Sequence, residues 1–150
     1  MGMNGSKYMK KQPLLRDYPG EHAVKVAGIK EDTSPQKRMQ RTRITCDVLA
    51  STNPALQKRI DTAGKPVKIE HMIFLGEFVD YYYSERREFL GAAVGHEPGD
   101  DDYNWEGAFQ EGVSGKLNGR TISVDVTDTG KLSKKGNPII EVEFSSAPVS

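Results

Sequence analysis

The chain is poor in cysteine and has no long apolar run, and each shortage excludes a class of protein. Cys46 is its only cysteine, so the chain cannot form an internal disulfide. A lone cysteine is typical of a reducing compartment or of a buried apolar thiol, and Thr45 and Asp47 beside it offer no base for a nucleophile. No stretch approaches the roughly 20 apolar residues of a membrane helix, and residues 1–11 lack the apolar core of a secretory signal. We therefore expect a cytoplasmic protein with no membrane partner.

Motifs for catalysis, cofactors and metals are also missing. The sequence contains no phosphate-binding glycine loop, no dinucleotide fingerprint and no serine in a nucleophile elbow. His22, His71 and His96 lack the spacing of metal ligands, and the pattern around His71 predicts a hydrogen-bonded core histidine. The acidic triplet at residues 100–102 is predicted to be a solvated loop rather than a cation site. We predict a protein that is not an enzyme and that needs no cofactor and no metal.

Charge is present in equal amounts of both signs, but it is unevenly distributed along the chain. Residues 1–45 carry ten Lys or Arg against four Asp or Glu, whereas residues 76–112 carry two against ten. This separation predicts one basic and one acidic region, and the basic region could bind a polyanion. An ordinary surface of mixed charge is the alternative that the same counts allow.

Alternation of apolar and polar residues predicts five strands. It is clearest where Thr42, Ile44, Cys46 and Val48 face one way, the period of two of a half-buried strand. The other predicted strands are residues 21–31, 66–75, 122–126 and 140–144, and a glycine-rich basic turn at residues 128–137 joins the last two.

The remaining segments predict helices and connections. Helical spacing predicts a helix over residues 77–94, ended by Gly95. Residues 105–113 predict a short second helix or a packed turn. Residues 51–65 predict a polar connection, with a short helical turn after Asn53 and Pro54 as an option.

The order of three strands, a helix and two strands is that of the OB-fold. We therefore predict a mostly β protein: a five-stranded, OB-fold-like Greek-key β-barrel with one helix between strands 3 and 4. An α+β sandwich would show a similar order. The length fits one domain, predicted at residues 18–145, with a flexible basic arm at residues 1–17 and a short tail at residues 146–150.

Cationic residues occur at the positions where an OB-fold holds an oligonucleotide, namely strands 2 and 3 and the loops 1–2 and 4–5. Cations neutralise phosphates, and an exposed aromatic ring can stack on any base. The predicted nucleic-acid-binding residues are Arg41, Arg43, Lys68 and Phe74 on the strands, and Lys37, Arg38, Lys131, Lys134 and Lys135 in the loops.

Several segments between residues 18 and 144 follow the layout of one family. They are the opening Pro19-Gly20-Glu21, the strand at residues 42–49, the helix end at residues 87–95, and residues 113–117 leading into the final hairpin. This layout resembles the phage-encoded single-stranded-DNA-binding OB-fold proteins. The resemblance implies binding of single-stranded DNA with little sequence preference, in phage DNA replication or recombination, inside a bacterial host cell. It also implies replication or recombination proteins as partners, although residues 145–150 lack the acidic character of the tail that recruits them in many such proteins.

A second class of function fits the same sequence. A protein–protein interaction or assembly module of a phage could use a similar β-barrel without binding nucleic acid. The neutral net charge and the few exposed aromatic residues expected favour this alternative. Self-association into a homo-oligomer is compatible with both readings.

Overall fold

A five-stranded antiparallel sheet forms the centre of the protein in a computed structural model that describes residues 13–35, 39–74 and 85–146. Its strands are β1 (Gly20–Thr33), β2 (Gln40–Ser51), β3 (Val67–Phe74), β4 (Thr121–Leu132) and β5 (Pro138–Ser146). Their order in the sheet is β3-β2-β1-β4-β5, so the first strand is central and pairs with both β2 and β4. The prediction of a mostly β protein with five strands is confirmed.

One face of the sheet forms the hydrophobic core. The alternation predicted for β2 is confirmed, because Ile44, Cys46 and Val48 are all buried. Burial raises the pKa of the Cys46 thiol to about 12, since an apolar surrounding disfavours the thiolate. The neighbouring strands add the buried residues Val24, Val26, Ile29, Ile69, Ile73, Ile122, Val124, Val126 and Phe144.

In the described residues three α-helices accompany the sheet, so the prediction of one helix between strands 3 and 4 is wrong. Helix α1 (Pro54–Ala63) lies between β2 and β3, whereas α2 (Glu85–Val94) and α3 (Trp105–Val113) both lie between β3 and β4. The Asn53 side chain caps α1 by accepting hydrogen bonds from two backbone N–H groups, and Gly64 ends it at φ 65°. None of the helices in the described ranges is long and apolar enough to cross a membrane.

The helix predicted over residues 77–94 corresponds in part to α2. Residues 75–84 lie outside the described residues, and α2 begins at Glu85. Of the two options for residues 105–113, the helix is the one observed. Asn104 caps it by accepting a hydrogen bond from the backbone N–H of Gly107 at 2.9 Å.

The two outer strands, β3 and β5, do not pair with each other in the described residues, so the sheet is open and the predicted β-barrel is not observed. No ladder joins β3 to β5 within the described residues. On the β3 edge, the N–H of Glu70 donates to the Pro13 carbonyl at 2.9 Å. On the β5 edge, the N–H of Phe144 donates to the Glu88 carboxylate of α2 at 2.7 Å. Pro13 thus occupies a donor on the edge of β3, and Glu88 occupies a donor on the edge of β5, so these donors are not available for pairing between the two strands.

A short 3-10 helix, Leu15–Asp17, fills the space between these outer strands and contacts both. Leu15 is only 1% exposed. The Phe144 ring lies 5.6 Å from the His71 ring and 5.3 Å from the Phe89 ring, measured between centroids. The sheet therefore curls so that its two edge strands, β3 and β5, contact the same hydrophobic core. Residues 13–17, predicted as part of a flexible arm, pack against that core, and residues 1–12 lie outside the described residues.

Candidate functional site

The outer faces of β1, β2 and β3, which point away from the core, bring together the predicted strand residues. The strand registers place Asp32 and Phe74 on either side of Arg41, and Lys30 and Met72 on either side of Arg43. We call this surface the arginine face; it comprises Lys30, Asp32, Arg41, Arg43, Thr45, Asp47, Lys68, Glu70, Met72 and Phe74.

Arg41 is held by a carboxylate on the neighbouring strand. Its Nε donates to Asp32 Oδ1 at 2.6 Å, and its Nη2 donates to Asp32 Oδ2 at 3.3 Å. Its Nη1 also points at the Met72 sulfur at 3.3 Å, and the side chain is 14% exposed. The planar guanidinium is thus fixed by a two-point contact, which sets its orientation on the sheet.

Arg43 joins the same network through two carboxylates. Its Nη1 donates to Asp32 Oδ2 at 3.3 Å, and its Nη2 donates to Glu70 Oε1 at 2.7 Å. The hydrogen bond from Arg41 is the main cause that lowers the pKa of Asp32, and the hydrogen bond to Glu70 is the main cause that raises the pKa of Arg43. The Arg43 side chain is 35% exposed, yet its Nε is buried and has no hydrogen-bond partner. Both shifts favour the charged forms of Asp32 and Arg43, and one donor of the network, the Arg43 Nε, is left without a partner.

A depression of about 200 Å³ lies in the middle of the arginine face. Its lining consists of Lys30, Arg43, Thr45, Lys68 and Glu70, that is, three cations, one hydroxyl and one carboxylate. Lys68 is loosely paired, since its Nζ lies 3.8 Å from Asp47 Oδ1 and its side chain is 57% exposed. The lining of the depression thus has an excess of positive charge, and it includes one hydroxyl group.

The three predicted lysines of the β4–β5 hairpin are not part of this cluster. Lys131, Lys134 and Lys135 are exposed on the β4–β5 hairpin. This hairpin continues past the Gly20–Val126 pair at the start of β1, whereas Arg41 pairs with Asp32 near the end of β1. Phe74 is half-buried on β3, and Lys37 and Arg38 lie outside the described residues. The register therefore separates the hairpin lysines from the arginines by most of the length of β1.

Sequence reasoning missed Lys30 and the carboxylates of the arginine face. If β1 and β2 form a hairpin around the loop that joins them, Asp32 lies opposite Arg41 and Lys30 lies opposite Arg43, as the structure shows. The distance of each residue from that loop along the chain could therefore have identified these pairs. Glu70 lies on the same face of β3 as Lys68 and Met72, and it is only 8% exposed.

His22 and Ser51 are hydrogen-bonded to each other as a nucleophile and its base would be. The His22 Nε2 lies 2.7 Å from the Tyr18 carbonyl oxygen and must donate to it, so Nδ1 accepts from the Ser51 hydroxyl at 2.7 Å. Burial lowers the pKa of His22 and keeps the ring neutral. The nearby backbone N–H groups are engaged, however: those of Ser51 and Asn53 donate to Gln57 Oε1 and Ser51 Oγ. No donor in this network is left for an oxyanion, and the pair ties β1 to the start of α1.

Metal-ligating side chains do not converge anywhere in the described part of the chain, where no group of three or more His, Cys, Asp or Glu could hold a metal ion. Comparison of the chain with protein-family models gives no match, and comparison with curated protein sequences gives none either.

Proposed function

We propose that this protein binds single-stranded DNA with little sequence preference, in support of phage DNA replication or recombination. The observation that carries the proposal is the depression on the arginine face, where Lys30, Arg43 and Lys68 surround a space that can admit a phosphate group. Backbone phosphates are recognised by Lys and Arg without regard to base identity, and such contacts supply most of non-specific affinity.

The ion pairs of the arginine face are compatible with this role. Asp32 and Glu70 hold both guanidinium groups in fixed orientations, so little side-chain freedom is lost when a phosphate arrives. A phosphate that displaces Glu70 from Arg43 would meet a cation that already faces the depression. The carboxylates then compete with the phosphate for the guanidinium groups, and this competition weakens binding.

The topology supports the same proposal. An OB-fold is a partly open five-stranded Greek-key barrel that binds oligonucleotides over strands 2 and 3. We propose that the curled sheet is such a barrel, opened between β3 and β5, where Leu15 and α2 occupy the gap. The arginine face then lies on the strands that an OB-fold uses.

The test is a fluorescence-anisotropy titration of labelled oligo-dT, with matched duplex DNA as competitor, over a series of salt concentrations. We expect the single strand to be preferred and affinity to fall steeply with salt. Replacing Arg41 and Arg43 together by Gln should weaken binding and reduce the slope of log K against log salt by about 1.4, at about 0.7 per lost phosphate contact. Gln is preferable to Glu here, because a new carboxylate would face Asp32 and Glu70.

Two matched variants sharpen this test. The double variant Lys58→Gln/Arg120→Gln removes two exposed cations outside the arginine face and should leave affinity nearly unchanged. Asp32→Asn removes the competing carboxylate but keeps its shape, so it should raise affinity for the oligonucleotide. If the Arg41/Arg43 variant is folded and binds like the wild type, the arginine face is not the binding surface.

The β4–β5 hairpin favours a second candidate function, a protein–protein interaction or assembly module. Leu132 is 66% exposed and Ile139 is 38% exposed on this hairpin, and a protein partner that covered these two side chains would remove apolar surface from water. Absence of oligo-dT binding even at low salt would favour this candidate over the first.

A further inference from the structure

The central strand β1 has a partner strand on both edges only along its first part. Its pairing with β4 covers residues 20–25, and beyond them Val26 exchanges two backbone hydrogen bonds of 2.8 Å with the turn before β4. Its pairing with β2 continues to Thr33. Among the described residues, one edge of β1 therefore has no partner strand over residues 27–33. We call this stretch the free edge.

The backbone groups of the free edge are oriented for pairing with a further strand. The N–H of Ser34 donates to the Met39 carbonyl at 2.8 Å, and the bonds of an antiparallel ladder recur at every second residue. The backbone groups of Ile29, Glu31 and Thr33 therefore point away from β2. Within the described residues no hydrogen bond uses them. Such a row of unpaired N–H and C=O groups is a template for pairing with an extended chain.

A groove of about 440 Å³ lies beside the free edge. Residues 27–31 form one wall. The end of α3 and the turn after it form the other wall, through Gly112, Val113, Gly115 and Asn118. Gly28 has no side chain, and a Cβ there would meet nothing within 4 Å. The groove therefore leaves space for a further backbone beside β1.

The two faces of a strand added in the groove would meet different surroundings. On the core side the end of α3 lies against β1, and Val113 is 43% exposed there. On the other side lies Lys30, which is exposed and takes part in no ion pair with another described residue. The carboxylate of Glu31 is paired with Arg86 at 3.6 Å instead. Because successive side chains of a strand point to opposite faces, a strand that alternates apolar and acidic residues complements both.

We propose that the free edge binds an extended acidic peptide segment of another protein, which adds to β1 as a strand. The groove has a second wall, so a single strand fits, whereas a symmetric pairing of two free edges would bring two α3 ends to the same place. The chain's own terminal segments, residues 1–12 and 147–150, contain no acidic residue that could pair with Lys30. This contact uses the backbone of β1 and Val113, so it does not depend on DNA binding.

The test uses the full chain and a synthetic peptide in which Val and Glu alternate. Amide hydrogen exchange, followed by NMR, reports on the free edge directly. We expect the amides of Glu31 and Thr33 to exchange quickly in the free chain, and at least about tenfold more slowly with the peptide at about 1 mM. The amides of Lys30 and Asp32 point toward β2 and should exchange slowly in both states.

A matched variant and a matched peptide separate strand addition from non-specific binding. Val113→Asp places a carboxylate on the groove wall and should weaken binding of the labelled peptide, measured by fluorescence anisotropy, by about tenfold or more. Gln110→Glu adds the same charge at an exposed position of α3 outside the groove lining and should bind the peptide like the wild type. The two variants should bind oligo-dT equally, because neither position belongs to the arginine face. A peptide methylated on its backbone nitrogens lacks the donors for β1 and should not bind.

The proposal fails if the peptide does not slow exchange at Glu31 and Thr33. Slow exchange of these amides in the dilute free chain would mean that the chain itself covers the edge, and slow exchange only at high protein concentration would mean that a second copy does. Binding of the methylated peptide, or equal weakening by Val113→Asp and Gln110→Glu, would show that the contact is not strand addition in this groove.

Discussion

The burial of Leu15 makes a prediction about the stability of the whole domain. This side chain is 1% exposed and lies in the 3-10 helix that contacts both outer strands of the sheet. Replacing a buried leucine by alanine costs about 2–5 kcal/mol, from lost transfer free energy and from the cavity that remains. In a domain of this size, a loss of ~3 kcal/mol lowers Tm by ~6–12 °C. We expect Leu15→Ala to show a shift in this range.

Urea denaturation and thermal unfolding, both followed by circular dichroism, measure the effect. Leu132→Ala is the matched control, since Leu132 is 66% exposed and its truncation should change stability by less than about 0.5 kcal/mol. The urea midpoint should fall for Leu15→Ala while the m-value stays constant, because the surface exposed on unfolding hardly changes. Equal stability of the two variants would mean that Leu15 does not fill the space between β3 and β5.

Two further predictions concern pH and helix packing. Burial lowers the pKa of His22 in the folded protein, so below about pH 6.5 the unfolded chain binds a proton that the folded chain does not bind. The contribution of neutral His22 to the free energy of unfolding should therefore be fully present above about pH 6.5 and decrease as the pH falls below it. His22→Gln should lose that part of the pH dependence in urea titrations at about pH 7.5 and about pH 5.5, and an unchanged dependence would assign it to other groups. Gly91→Ala should destabilise the protein by about 1–3 kcal/mol despite the better helix propensity of alanine, because a Cβ there would lie 2.7 Å from the His96 carbonyl oxygen. Gly99→Ala, whose Cβ would meet nothing closer than 3.9 Å, is the control, and a similar loss in both would contradict the steric argument.

The strands were predictable because their signal is local. The alternation around Ile44 and Cys46 depends only on which face of a single strand is buried, and both residues are buried as expected. Helix α1 also had local signals in Asn53, Pro54 and Gly64. It was nevertheless predicted as a polar connection with only a short helical turn after Asn53 and Pro54 as an option, because only Leu56 and Ile60 face the core and the rest of the segment is polar.

The edges of the sheet and the network of the arginine face were not predictable in the same way. The backbone N–H of Glu70 donates a hydrogen bond to Pro13, and its side chain accepts one from Arg43; both partners are distant in sequence. Such contacts depend on the registers of two strand pairs and on the path of the N-terminal segment. Sequence patterns therefore located the cations on strands 2 and 3, but not the carboxylates that hold them.

The central place of β1 has a consequence for how the chain acquires its structure during synthesis. β1 can pair with β2 as soon as a local hairpin has formed, but its other edge waits for β4, about a hundred residues later. At about 5–20 residues per second, a ribosome needs several seconds to deliver β4 after β1. During that time one edge of the first strand is exposed, and closure over so long a loop is slow. The nascent chain is therefore most vulnerable to chaperone capture and misassembly between the emergence of β2 and that of β4.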